Sequence, residues 1–167
     1  MEEIMKTQMR WIVIHFTFVV ILTVLLFTSS ISQAANSALR SVDGSVLENY
    51  QKIQQALAAD SLKIIPESAA PISKAVRNDP DKLLPAVLAQ QADKLSKDQD
   101  LKVAREDFKA LSATLIAYLE KAKVRTTGYQ ENYCPMVKAS WLQKGKKINN
   151  PYVGKSMSGC GETKRSF

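Results

Sequence analysis

The chain has 167 residues and a formal net charge of +7, with 46% apolar and 23% charged residues. This length allows one domain and little more, which excludes a TIM barrel or a two-domain dehydrogenase. The composition excludes wholesale disorder and a collagen-like repeat, and two cysteines are too few for a disulfide-dense miniprotein. The charge is unevenly placed. Residues 1–120 carry 13 Lys/Arg and 14 Asp/Glu, whereas residues 121–167 carry 10 Lys/Arg against only Glu131 and Glu162.

The first element in chain order is an apolar run from Trp11 to Phe27, preceded by Lys6 and Arg10 and followed by Ser32-Gln33-Ala34. A basic start, an apolar centre and a small-residue exit predict a secretory signal peptide cut before Ala35. The run is also near the lower limit for spanning a bilayer, so residues 1–34 read as a signal peptide or an N-terminal anchor. Either reading exports the remainder. The only histidine, His15, lies in this run. The exported part then has no imidazole, which excludes Ser-His-Asp and Cys-His catalysis and the common histidine-bearing zinc sites. The expectation is a protein that is not an enzyme.

Four segments then place apolar residues at alternating three- and four-residue steps, the mark of one buried helical face. They are Val46, Tyr50, Ile53, Leu57; Leu62, Ile65, Ala69, Ile72, Val76; Leu84, Leu88, Ala92, Leu95; and Leu101, Ala104, Phe108, Leu111, Leu115, Leu119. Ser45 with Glu48 predicts a capping box, Asp79-Pro80 a start for the third helix, and Ser96 and Gln99 caps for the fourth. Pro66 and Pro71 predict that the second helix is kinked or begins near Pro66. Short connections favour antiparallel neighbours. The expected fold is all-α: an up-down four-helix bundle over 42–123, with an irregular Cys/Met-bearing segment, 124–167, packed on it within the same domain. No strand alternation is evident.

The tail changes character after Lys123, with glycines at 128, 145, 154, 159 and 161 and prolines at 135 and 151. Its sulfur lies in two clusters, Cys134-Pro135-Met136 and Met157-Ser158-Gly159-Cys160. Thiolate and thioether are soft donors that select Cu(I) or Ag(I) over hard cations. If the clusters meet, Cys134, Met136, Met157 and Cys160 form a candidate metal site. The alternatives are a Cys134–Cys160 disulfide, usual for an exported pair, and free or redox-active thiols. Lys144, Lys146 and Lys147 form a basic patch that reads as a solvated turn or, with Trp141, as a docking surface for an anionic partner. Export makes nucleic acid an unsuited partner, and the membrane is met only through an uncleaved N-terminal segment.

The stretches Tyr133-Cys134-Pro135-Met136, Trp141-Leu142-Gln143, Asn150-Pro151-Tyr152, Gly154, Met157 and Cys160-Gly161 carry a resemblance, as do Ala104-Arg105, Phe108 and Asn49-Tyr50 upstream. Over most of 42–162, and most specifically in the tail, the chain resembles an uncharacterised exported helical domain. That domain occurs alone or fused to periplasmic adaptor subunits of copper/silver efflux pumps. The resemblance implies a periplasmic location, handling of Cu(I) or Ag(I), and an efflux adaptor or other metal-handling protein as partner.

Overall fold

The computed structural model describes residues 45–124, 126 and 128–167. The leader or anchor expected over 1–34 lies outside them. Among the described residues, no helix is long and apolar enough to cross a membrane.

All four predicted helices form: α1 Leu47–Ala58, α2 Ile65–Arg77, α3 Val87–Leu95 and α4 Leu101–Lys121. Each packs on the next in sequence, and their periodic residues are the core, with Tyr50, Ile53, Leu57, Leu88, Leu95, Phe108 and Leu119 fully buried. α2 begins at Ile65 with Pro66 in its first turn and carries Pro71 inside it. The carbonyl that loses its partner to Pro71 is that of Glu67, an exposed residue, so water can satisfy it.

The helix starts differ from expectation. Val46, not Ser45, is the N-cap of α1 and makes no side-chain cap bond; Ser45 instead offers its carbonyl to Asn49 Nδ2 at 2.6 Å. Asp79 does not start α3. Its carboxylate accepts from the N–H groups of Asp81 (3.2 Å) and Leu84 (2.8 Å), shaping the loop, and Pro85 holds Leu84 away from helical geometry. The cap of α4 is Asp100, which accepts from Val103 N–H at 2.9 Å.

The larger correction concerns the tail. The fold is mixed α/β, not all-α, because residues expected to be irregular form a three-stranded antiparallel sheet: β1 Tyr129–Cys134, β2 Ala139–Lys144 and β3 Glu162–Ser166, in the order β2-β1-β3. The alternation is masked because polar residues take buried positions. Glu131, Asn132 and Gln143 are at most 8% exposed. Each has a partner: Arg165 Nε donates to Glu131 at 2.7 Å, Thr163 Oγ1 to Asn132 at 2.8 Å, and Trp141 Nε1 to Gln143 at 3.1 Å. A hydropathy pattern reads such residues as solvent-facing, although pairing makes their burial tolerable.

The sheet is fastened to the helices by β2, which packs on α1 and α4. The buried Tyr50 hydroxyl shares a hydrogen bond with Ser112 Oγ at 2.7 Å and accepts from Leu142 N–H at 3.0 Å, joining α1, α4 and β2 at one oxygen. Tyr50→Phe should leave a buried hydroxyl and a buried amide unanswered, lowering unfolding free energy by about 1–3 kcal/mol in urea titration.

A second contact makes stability pH-dependent. Asp98, in the α3–α4 connection, faces Asp107 of α4, which Lys94 Nζ also holds at 2.8 Å. Burial, then the Asp107 charge, pushes the Asp98 carboxyl up to about 6. The raised value means that this contact's contribution is fully present below the ordinary carboxylate pKa of about 4 and is lost as pH climbs through about 6. Asp98→Asn should therefore melt higher than the parent chain at neutral pH, with the gap closing near pH 4; thermal melts across that range check it.

Candidate metal centre

The sulfur site is built by the sheet. β1 ends at Cys134, the turn 135–138 follows, and β2 begins at Ala139, which pairs with Cys134. Lys138 closes the turn at φ 51°. Cys160 precedes β3, whose Glu162 pairs with Tyr133. Pairing of β3 with β1 thus brings Cys160 beside Cys134, although 26 residues separate them in sequence. Their sulfurs are 3.6 Å apart and both are free thiols. Cys160 Sγ also lies 3.7 Å from Met136 Sδ.

Three of the four sequence-predicted donors therefore converge. Cys134 is fully buried, Cys160 is half-buried and Met136 is 62% exposed. Met157 is carried on a 3₁₀ turn, Lys155–Met157, with its side chain 40% exposed. Its carbonyl accepts from Cys160 N–H at 2.9 Å, so it shapes the loop under Cys160.

The surroundings divide the two thiols. Burial opposes ionisation of Cys134, but the N–H groups of Val137 and Met136 and the Asn150 carboxamide outweigh it and hold this thiol below its ordinary value. The Cys160 thiol hydrogen-bonds to Cys134 and is held above its ordinary value by that bond and by burial. The arrangement is one thiolate with one thiol donating to it.

Asn150, which sequence reasoning treated only as a turn residue, positions the Cys160 loop. It is fully buried. Its Nδ2 donates to Cys160 O at 2.7 Å, its Oδ1 accepts from Tyr152 N–H at 2.8 Å, and its own N–H donates to Ser158 O at 2.7 Å. Farther back, Arg105 donates to Pro151 O at 2.9 Å, to Leu57 O at 3.0 Å and to Asp60 at 2.5 Å. Asp60 also takes Lys155 N–H at 3.1 Å. Gly154, at φ 65°, packs against this ion pair, where a Cβ would collide with both partners. The only signals for this scaffold in the sequence were Asn149-Asn150-Pro151 and Gly154.

The residues expected to dock a partner lie elsewhere. Trp141 is fully buried, edge-on to Tyr152 at 5.9 Å, and offers no surface. Lys144 sits over the Tyr129 ring at 4.9 Å, and Lys146 and Lys147 are exposed beside it. Lys144 pairs with Tyr129 at the end of the hairpin opposite Cys134. At about 3.4 Å per residue, five residues along the strand put the patch roughly 17 Å from the sulfurs.

Gly161 adjoins Cys160 at φ 143°, and an added Cβ would stand 2.8 Å from the Trp141 ring. Gly161→Ala should combine backbone strain with this clash and cost about 1–3 kcal/mol, read by urea titration.

Residues 46–127 match the model of a family described as protein of unknown function (DUF3347). No curated protein and no solved structure matches the chain. The match spans the helices and ends before β1, so the sulfur-bearing sheet, on which the resemblance rested most, lies outside it. The helical part of the chain carries the sequence pattern of an uncharacterised domain family.

Proposed function

We propose that this chain is an exported, periplasmic soft-metal-binding protein that holds Cu(I) or Ag(I) through Cys134, Cys160 and Met136, as an accessory to metal efflux or homeostasis. The observation that carries the reading is the convergence of three sulfurs at 3.6 and 3.7 Å. Donors bound at about 2.3 Å to one d¹⁰ ion stand about 3.8–4 Å apart in tetrahedral or trigonal arrangement, so these sulfurs need to move little. The chemistry is soft throughout, and a thiolate already favoured at Cys134 lowers the proton cost of binding. Met157 is the fourth donor in this reading and reaches the ion by rotation of its exposed side chain. Delivery to an efflux adaptor is the partner this role implies.

A second reading has a specific observation behind it. Thiols 3.6 Å apart also suit a Cys134–Cys160 disulfide. The chain would then be a structural or interaction protein whose basic tail docks a partner.

The reduced chain should take up one Cu(I) per molecule in competition with a chromogenic chelator. Met136→Leu should weaken that affinity about 10–100-fold, and Met136→Leu with Met157→Leu should weaken it further. Unchanged affinity in the double variant would remove the thioethers from the site. Free thiols counted on protein taken directly from the periplasm separate the readings: two per chain eliminate the disulfide, and none displaces the metal reading.

A further inference from the structure

The sulfur site opens on a surface with a definite electrostatic character. Residues 132–161 contain no Asp or Glu and five lysines. Two of these flank the exposed methionines. Lys138 closes the turn that carries Met136, and Lys155 opens the 3₁₀ turn that ends at Met157. Both side chains are exposed. Lys109, from α4, joins them by donating to Val137 O at 3.1 Å. Met136 and Met157 are two of the four exposed large apolar side chains among the described residues, so the site presents an apolar, sulfur-bearing patch with a cationic rim.

Beside this turn runs a groove of about 330 Å³ between α4 and the sheet. Its lining includes Ile116, Ala139, Tyr133, Lys109 and Lys138. The acidic groups there, Glu120 and Glu131, are both bound by Arg165, at 2.8 and 2.7 Å, which leaves the lysines to set the sign of the rim. The groove is continuous with the sulfur site, because Tyr133 and Ala139 border Cys134 in sequence and in register.

We propose that the 135–138 turn and this groove form the docking surface for an acidic protein segment bearing its own soft donors, and that Met136 is the ligand through which the ion changes hands. The transfer step rests on the proposed function; the docking step does not. Charge complementarity argues for the occupant. A cationic rim steers an anionic partner and repels a cationic one, with a range set by the Debye length. The exposed thioether is the donor an incoming ligand can replace first, while buried Cys134 keeps hold. No net redox change occurs: one soft donor of the partner binds the ion as Met136 leaves it. The Lys144–Lys147 patch, at the other end of the hairpin, has no part in this.

The test uses the reduced full chain and two synthetic peptides with the same methionine pair, one flanked by glutamates and one by lysines. In ¹⁵N-resolved NMR titrations at about 20 mM salt, the acidic peptide should shift residues 109 and 135–139 and bind at least ~10-fold more tightly than the basic one. The difference should vanish near 1 M salt. Lys138→Glu and Lys155→Glu should each abolish the preference, and Lys144→Glu should leave it unchanged. Equal binding of the two peptides, or shifts confined to 144–147, overturns the docking surface. With Cu(I)-loaded chain, the acidic peptide should withdraw the ion at least ~10-fold faster than the basic one, a gain lost in Lys138→Glu. Equal withdrawal rates overturn the hand-off. A chain that takes up no Cu(I) overturns the proposed function and the hand-off together, and the titration with metal-free chain still decides the docking surface.

Discussion

The structure depends on buried polar groups in the tail finding answers on the helices. One oxygen, the Tyr50 hydroxyl, does the central part, because it meets Ser112 of α4 and the backbone of Leu142 in β2. Around it, Tyr129 Oη donates to Leu47 O at 3.1 Å, and Gln51 Oε1 accepts from Lys144 N–H at 2.9 Å. A strand laid on helices must satisfy its amides or lose several hydrogen bonds at once. Here the helices supply those partners from α1 and α4, the two that face the sheet. The sulfur site inherits its geometry from that attachment: Cys134 is fixed by the hairpin, and Cys160 by the pairing of β3 with β1.

The helices were legible because apolar spacing alone specifies them. Leu101 to Leu119 gives α4 without reference to anything else, and Pro66 marks the start of α2. The caps were less legible, since Ser45, Asp79 and Asp100 all have the chemistry and only the path of the chain decides which one caps. The sheet was hidden by its own polarity. Glu131 is buried because Arg165 reaches it from 34 residues away, and no local pattern carries that information. Tyr129, Trp141 and Tyr152 could be read as packing residues, but not as parts of strands and of the loop that covers them.

The site was legible in its chemistry and not in its support. Cysteine and methionine stand out by type, and three of the four donors come together. Asn150 and Arg105 do not stand out, because asparagine before proline is an ordinary turn signal and arginine on a helix is an ordinary surface residue. Their roles emerge only when the 149–160 segment is seen lying over the end of α1. The basic patch was misplaced for a related reason: a cluster of lysines in sequence says nothing about which end of a hairpin it occupies.

The two thiols belong to segments with different anchorage. Cys134 lies at the foot of a hairpin packed on the core, whereas Cys160 introduces an edge strand whose five residues are all exposed. Any bridge between the sulfurs, ionic or covalent, closes a 26-residue span and, by loop-entropy reckoning, is worth about 3–4 kcal/mol. That increment falls on the carboxyl-terminal ribbon, whose amides otherwise open to solvent with little help from the core. The state of the sulfur pair is thereby written into hydrogen-exchange protection of Glu162–Ser166, tying the chemistry of two side chains to the permanence of the molecule's outermost strand.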